Sequence, residues 1–372
     1  MLPLASHDPS RDVLVAWLRF TLAPGVFDRW QRRLLVAFGS PREALGASVQ
    51  SLSRFVPTEV AEGLARGPAQ PVLDRALAWL AEPGHHLVTL EDAHYPLALL
   101  HIADPPTALY VQGRPELLNA PSFAIVGSRN ATVQGLHDAR AFARTLSDAG
   151  LTIVSGLALG IDAAAHRGGL DGEASSIAVL GTGADGDYPR RNAALRSELA
   201  QRGALVSEFP LGSPPAKEHF PKRNRLISGL ARGVLVVEAA VASGSLITAH
   251  EANDQGRDVF ALPGSIHASL SKGCHKLIQE GAKLVDCAND ILEELRLPVA
   301  APTRRGAQGV EHQDHAFLDA MGFAPQSIDQ IASATGKDCA TVAAHLSQLE
   351  ISGSVAGLAG GLFQRLDTSV IE

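Results

Sequence analysis

Residues 123–162 read FAIVGSRNATVQGLHDARAFARTLSDAGLTIVSGLALGID. Two apolar runs, Phe123–Val126 and Leu151–Val154, each run into a turn carrying glycine and serine. Between them Leu136, Ala139, Phe142, Ala143, Leu146 and Ala149 recur at helical spacing, so one face of a helix is apolar. Strands apolar at every position are buried on both faces, as in a parallel sheet. The same unit repeats downstream, with runs at Ile177–Leu180, Ala204–Val206, Val234–Val237, Val259–Leu262 and Lys283–Val285. Strand–helix repetition with right-handed crossovers predicts an α/β fold, a Rossmann-like doubly wound, mostly parallel sheet.

The flanks read differently. Residues 11 to about 80 carry Leu, Val and Ala at 3–4 spacing, with breaks at Pro24-Gly25, Gly39 and Pro57, which predicts a helical module. His85-His86 fall in a Pro-Gly loop with no partners for a metal. Residues 298–312, PVAAPTRRGAQGVEH, read as a linker. Residues 314–366 then suggest three short helices and a Gly-rich hairpin, the order of a winged helix, with Val342, Leu346 and Leu349 as the buried stripe of the third helix.

The 372 residues hold 32 Lys+Arg against 39 Asp+Glu, a formal −7, and 46% are hydrophobic. No apolar run nears the roughly 18 residues of a membrane span. The start, MLPLASHDPSRD, lacks a basic segment followed by an apolar one, so no signal peptide is expected. Cys274, Cys287 and Cys339 are too scattered for a disulfide frame or a zinc site. A reduced, cytoplasmic protein with no metal and no cofactor is expected. Charge is uneven along the chain. Residues 190–232 hold nine basic residues against three acidic, a local +6, whereas residues 310–372 hold two against eight, a local −6. A polyanionic partner therefore belongs on the middle of the chain, not its tail.

In open parallel sheets ligands bind beyond the carboxyl ends of the strands. The predicted strand exits are Gly127-Ser128-Arg129-Asn130, Ser155 through Asp162, Gly181-Thr182-Gly183, Glu238 followed by Ser243 through Ala249, and Pro263-Gly264-Ser265. Gly and Ser let backbone N–H groups approach an anion, although glycine is also needed simply to close such turns. The dinucleotide and Walker patterns are absent, and Arg129 at the first turn favours an exposed phosphodiester over a buried pyrophosphate. His219-Phe220-Pro221-Lys222-Arg223-Asn224-Arg225 sets an aromatic ring beside three cations, as single-strand binding requires. It equally suits a solvated helix start with Phe220 in the core. Asp162 and His166 stand four apart and could act as an acid–base pair, but a helix-capping Asp162 beside a satisfied His166 fits better. Glu238 is a candidate hydrolytic carboxylate, though a polar strand end needs no function.

Together these residues resemble the DNA-processing protein A (DprA/Smf) family. The likeness runs from Tyr95-Pro96 to about Val285 through Asp104-Pro105-Pro106, Ile125 through Arg129, Ser155 through Ala158, Gly160-Ile161-Asp162, Ala165-His166, Tyr188-Pro189, Ser207-Glu208, Phe220 through Leu230, Ser243 through Ala249, and Gly256-Arg257 with Pro263-Gly264. The resemblance implies an extended Rossmann-like domain over 86–297, a SAM or helix-hairpin-helix-like domain over 1–85, a linker over 298–312 and a winged helix over 313–372. It implies a non-catalytic homodimer that binds single-stranded DNA and helps load the recombinase RecA in natural transformation and recombination, with single-strand-binding protein as a further partner. Family groove residues map to Arg129, Gly212, Lys217, Phe220, Lys222, Arg223 and Arg225, the cations holding phosphates while Phe220 and the Gly212 backbone shape a base pocket. Asn224 and the Ser243, Gly244, Ser245 and Thr248 turn complete the expected DNA-binding set. The family usually has Arg where this chain has Leu159, and Asn where it has His275. Two other readings compete: a nucleotide-cleaving phosphoribohydrolase-like enzyme using Glu251, and a winged-helix transcription regulator, which the acidic tail disfavours.

Overall fold

All seven predicted runs become strands of one sheet in the computed structural model, which describes residues 9–298 and 312–366. The linker expected over 298–312 and the first eight residues fall almost wholly outside the described residues. Six helices lead: α1 (Pro9–Thr21), α2 (Asp28–Phe38), α3 (Pro41–Gly46), α4 (Val49–Leu52), α5 (Thr58–Arg66) and α6 (Gln70–Leu80). Two strands follow, β1 (His85–Thr89) and β2 (Ala108–Gly113), and then the alternating region begins. It comprises β3 (Ser122–Val126), α7 (Val133–Asp148), β4 (Thr152–Ser155), α8 (Ile161–Asp171), β5 (Ser176–Val179), α9 (Ala193–Arg202), β6 (Ala204–Ser207) and α10 (His219–Leu230). After these come β7 (Gly233–Val236), α11 (Gly244–Asp254), β8 (Asp258–Ala261), α12 (Lys272–Gln279), β9 (Lys283–Leu284) and α13 (Ala288–Glu294).

The strand order is β1-β2-β6-β5-β4-β3-β7-β8-β9. From β6 to β9 all pairing is parallel, with Ala124 at the centre opposite Val154 on one side and Val234 on the other. Chain order reverses at β3, which is the switch point where a crevice opens in such sheets. Alternate residues bury against different layers. Ala124, Val126 and Val154 pack on α10, α11 and α12, while Phe123, Ile125 and Ile153 pack on α7, α8 and α13. This is why these strands are apolar throughout.

Two strands were not expected. β2 lies antiparallel to β6, and β1 antiparallel to β2, so His85 and His86 sit on a strand and not in a loop. The His85 ring stacks on Trp79, with centroids 4.0 Å apart, and its Nδ1 meets the Trp79 carbonyl at 2.8 Å. The leader core, built on Trp17, Phe20 and Leu34, continues into Leu87 and Tyr110 of these strands and into Ala184 and Leu211. Trp17 Nε1 donates to Glu91 at 3.3 Å, and Arg32 pairs with Asp104 at 2.5 Å. The leader is therefore packed onto the sheet.

The C-terminal elements are α14 (His312–Met321), β10 (Gln326–Ser327), α15 (Ile328–Thr335), α16 (Cys339–Ile351), β11 (Val355–Leu358) and β12 (Leu362–Arg365). They form the expected winged helix, with Val342, Leu346 and Leu349 buried against Phe317 and Met321. No helix among the described residues is long and apolar enough to cross a membrane.

One turn carries unusual constraint. Gly160 adopts φ +78°, and a Cβ there would run into the Ser128 carbonyl. Gly160→Ala is expected to cost about 1–3 kcal/mol from left-handed strain and that collision. Urea unfolding should show a lower midpoint at unchanged slope.

Candidate nucleic-acid interface

The exits of β3, β4 and β7 surround a hollow of about 540 Å³ at the switch point. Its wall includes eight of the twelve expected residues: Arg129, Phe220, Arg223, Asn224, Ser243, Gly244, Ser245 and Thr248. Helix α10 explains the selection. Phe220, Arg223, Asn224 and Ile227 follow i, i+3, i+4, i+7 spacing and share the face turned to the hollow. Arg129 is exposed, and its guanidinium lies 5.5 Å from the Phe220 ring centroid. Gly181 must lack a side chain, because a Cβ there would strike that ring at 2.8 Å.

Arg223 forms the floor and is 4% exposed. Its Nη1 donates to the Gly156 carbonyl at 2.7 Å and to the Val179 carbonyl, and its charge faces Asp162. Burial lowers its pKa to about 10, with Asp162 opposing, so it stays cationic at neutral pH. Burial conversely pushes Asp162 upward against the pull of Arg223.

The β4 exit does not offer its backbone to a ligand. Asp162 accepts from Gly156 N and Ala158 N at 3.1 and 3.3 Å. His166 Nε2 accepts from Leu157 N at 3.1 Å, and its Nδ1 meets Ser176 Oγ at 2.8 Å. Ser176 Oγ donates onward to the Ile153 carbonyl, so His166 is a neutral ring with its proton on Nδ1. Asp162 and His166 thus brace one turn and do not form an acid–base pair. Glu238 likewise is engaged, accepting from Thr132 N at 2.9 Å and Thr132 Oγ1 at 2.6 Å.

The basic segment is not one patch: Lys222 and Arg225, both expected DNA-binding residues, lie off the wall of this hollow. Residues 223 and 225 lie about 200° apart around a helix. Arg225 is 9% exposed, donating to the Asp104 carbonyl at 2.6 Å and pairing with the Glu208 carboxylate. Lys222 Nζ stands 3.2 Å from Glu208 Oε2 and 3.6 Å from Asp28 Oδ2. Burial raises the Glu208 pKa while these two cations pull it down. Both cations thus pair with a buried carboxylate away from the hollow, Arg225 largely buried and the Lys222 side chain still 43% exposed. Lys217 is exposed on the loop before α10 but lines neither this hollow nor the next.

Gly212 belongs to a second hollow, of about 700 Å³, beyond the β5 and β6 exits. Tyr188, Arg190, Arg191, Leu159 and Arg75 share its wall. Leu159, the departure from the family pattern, thus sits where Arg75, Arg190 and Arg191 supply the cations. The other departure, His275, lies elsewhere, its Nε2 3.1 Å from the Gly264 carbonyl. Tyr188 and Phe220 rings stand 5.7 Å apart at 45°, so the two hollows meet at an aromatic divide. Arg190 and Arg191 stand out in the sequence only through local charge, with no motif around them, and nothing near Arg75 in the chain signals its place here.

The profile of the DNA recombination-mediator protein A family matches residues 86–296, and that of the DprA winged helix domain matches residues 300–361. Protein Smf of Escherichia coli K12 is 44% identical over 300 residues, covering 78% of this chain and 80% of its own. DNA processing protein DprA of Streptococcus pneumoniae R6 is 49% identical over 203 residues, 55% of this chain and 72% of its own. The X-ray structure of DNA processing protein A from S. pneumoniae superposes with a TM-score of 0.68 at 36% identity, covering 77% of this chain and 98% of that one. A Helicobacter pylori DNA processing protein A structure, described for its single-stranded DNA binding mode, gives a TM-score of 0.52 at 32% identity, covering 57% and 96%.

His166, fully buried behind the β4 exit turn, makes the stability of the fold sensitive to acid. Burial, then Arg223, depresses its pKa from 6.5 to about 3. Its contribution is complete above pH 6.5 and is lost as pH falls toward 3, at up to about 1.4 kcal/mol per pH unit. Chemical denaturation between pH 7 and 4 should show this slope, and His166→Gln, which keeps an acceptor but cannot titrate, should flatten it.

Proposed function

This chain belongs to the DNA recombination-mediator protein A family, and from that premise we propose that it is a non-enzymatic single-stranded-DNA-binding protein. The observation that carries the reading is Arg129 set over Phe220 at the mouth of the switch-point hollow. A ring face accepts any base, and a guanidinium beside it neutralises the adjoining phosphate. The hollow is open and mixed in character, which suits a strand passing through better than an enclosed nucleotide. Arg223 beneath is a buried cation balanced by Asp162, so it shapes the floor while Arg129 supplies the exposed positive charge.

The absence of chemistry is part of the proposal. Of the acidic and imidazole groups weighed as catalysts, Asp162 holds two backbone amides, His166 binds through both ring nitrogens, and Glu238 holds Thr132. Glu251, the carboxylate of the phosphoribohydrolase alternative, is not on the wall of this hollow. Delivery of the strand to RecA during transformation and recombination, homodimerisation, a cytoplasmic setting and contact with single-strand-binding protein follow from the family resemblance. The domain division at 85, 297 and 312 is proposed on the same ground. The acidic winged helix suits a protein contact better than a phosphate backbone.

Fluorescence anisotropy with labelled oligothymidylate and a duplex of equal length tests this directly. Preference for the single strand is expected, and preference for the duplex would overturn the reading. Arg129→Ala should weaken strand binding roughly three- to tenfold and lower the salt slope by about 0.7. Arg225→Ala should act elsewhere: with only the half-exposed Lys222 left beside the buried Glu208, it is expected to cost up to about 3 kcal/mol of stability, seen as an earlier unfolding transition.

A further inference from the structure

We propose that the helical leader is part of the strand path, and that Arg75 on α6 is a phosphate contact of a second nucleotide subsite around Gly212. The inference rests on the single-strand reading above: Gly212 already belongs to the groove that the family resemblance implies, and what goes beyond it is the leader's share in that groove.

The second hollow is open, and it adjoins the first across the Tyr188–Phe220 divide. A strand leaving the Phe220 ring therefore passes Tyr188, a residue 39% exposed, before it reaches Gly212. Three guanidinium groups stand around this second space, Arg75, Arg190 and Arg191, against the two carboxylates Asp185 and Asp187. A stacking ring followed by a cluster of cations repeats the chemistry of the first hollow.

Arg75 is held ready for this use. Its Nε faces Asp185 Oδ2 at 3.1 Å, while Asp185 Oδ1 accepts from Gly212 N at 2.8 Å. One carboxylate thus fixes both the arginine and the backbone it leans over. Nη1 lies so close to Gly212 that a Cβ there would collide with it. The guanidinium has five donors in a planar fork, and Asp185 meets its Nε side. The Nη side is directed over the Gly212 backbone, and the side chain as a whole is 59% exposed. Such a half-satisfied, oriented guanidinium can take a phosphate without losing its carboxylate partner.

The leader is also anchored well enough to serve as a wall. Its core is continuous with Leu87, Tyr110, Ala184 and Leu211, the last two flanking the Asp185 and Gly212 loops. Arg32–Asp104 and Trp17–Glu91 hold it at separate points. Ordering the leader is therefore not a cost that the strand must meet on binding.

The test uses the full chain with a ladder of labelled oligothymidylates of about 4 to 16 nucleotides. For Arg75→Ala, the shortest oligomers should bind as they do to the unaltered protein. The longer ones should bind roughly fivefold more weakly, with a salt slope lower by about 0.7. Arg75→Lys should recover part of that loss. Should Arg75→Ala undock the leader, seen as a second unfolding transition, the Arg190→Ala, Arg191→Ala double variant decides, with the same length-selective loss expected. No loss at any length, or an equal loss at every length, would overturn the proposal. If the unaltered protein bound no oligothymidylate, the single-strand reading itself would fall. Binding that depends on Arg129 but ignores Arg75 and the arginine pair would remove only the second subsite.

Discussion

A single buried guanidinium holds the site together. Arg223 reaches from α10 under the rim and donates to the carbonyls that end β4 and β5, at Gly156 and Val179. Those carbonyls lie at the carboxyl edge of a parallel sheet, where strand pairing has stopped and backbone acceptors would otherwise go unmet. The same contact fixes the rotation of α10, and with it the direction of Phe220 and Asn224. Residue 156 must be glycine for this, since a Cβ would lie 2.6 Å from Nη1 of Arg223. Asp162, gathered on the other side of the turn, supplies the counter-charge that a sealed cation requires.

Charge in this chain therefore does two distinct jobs. Much of the positive excess over residues 190–232 is internal structure: Arg196 meets the Ala184 and Gly186 carbonyls, Arg202 pairs with Glu198, and Lys222 and Arg225 meet Glu208. The cations free to meet a polyanion are fewer and come from separate segments. Arg129 follows the first strand of the parallel region, Arg190 and Arg191 follow the fifth of the sheet in chain order, and Arg75 belongs to the leader. Folding assembles them along one rim, because the sheet places its strand exits side by side.

What could be read beforehand follows from which signals are local. Strands buried on both faces announce themselves as uninterrupted apolar runs, so β3 to β9 were legible within a residue or so. Strands β1 and β2 were not, because they pair antiparallel at the sheet's margin and carry polar or half-exposed positions such as His85, His86 and Gln112. At the site, composition pointed to Lys222-Arg223-Asn224-Arg225, but composition is blind to helical phase. The i, i+3, i+4, i+7 stripe from Phe220 separates Arg223 and Asn224, which line the hollow, from Lys222 and Arg225, which meet Glu208. Arg75 had no such signal: its role depends on how a leader packs against a distant loop, and no pattern within one segment encodes that.

The β4 exit turn has a thermodynamic consequence. Its three successive amides, at 156, 157 and 158, are already spoken for by Asp162 and His166, and the Asn192 side chain secures the Leu157 and Ala158 carbonyls as well. A wall so fully bonded has no loose backbone to stiffen when a guest arrives. On the proposed single-strand reading, the entropy lost on association would fall on the nucleic acid, as its bases unstack from one another and settle on the protein's rings. Homopolymers that stack poorly in solution would surrender the least order of their own, so flexibility of the guest, more than identity of its bases, would set the ranking of sequences.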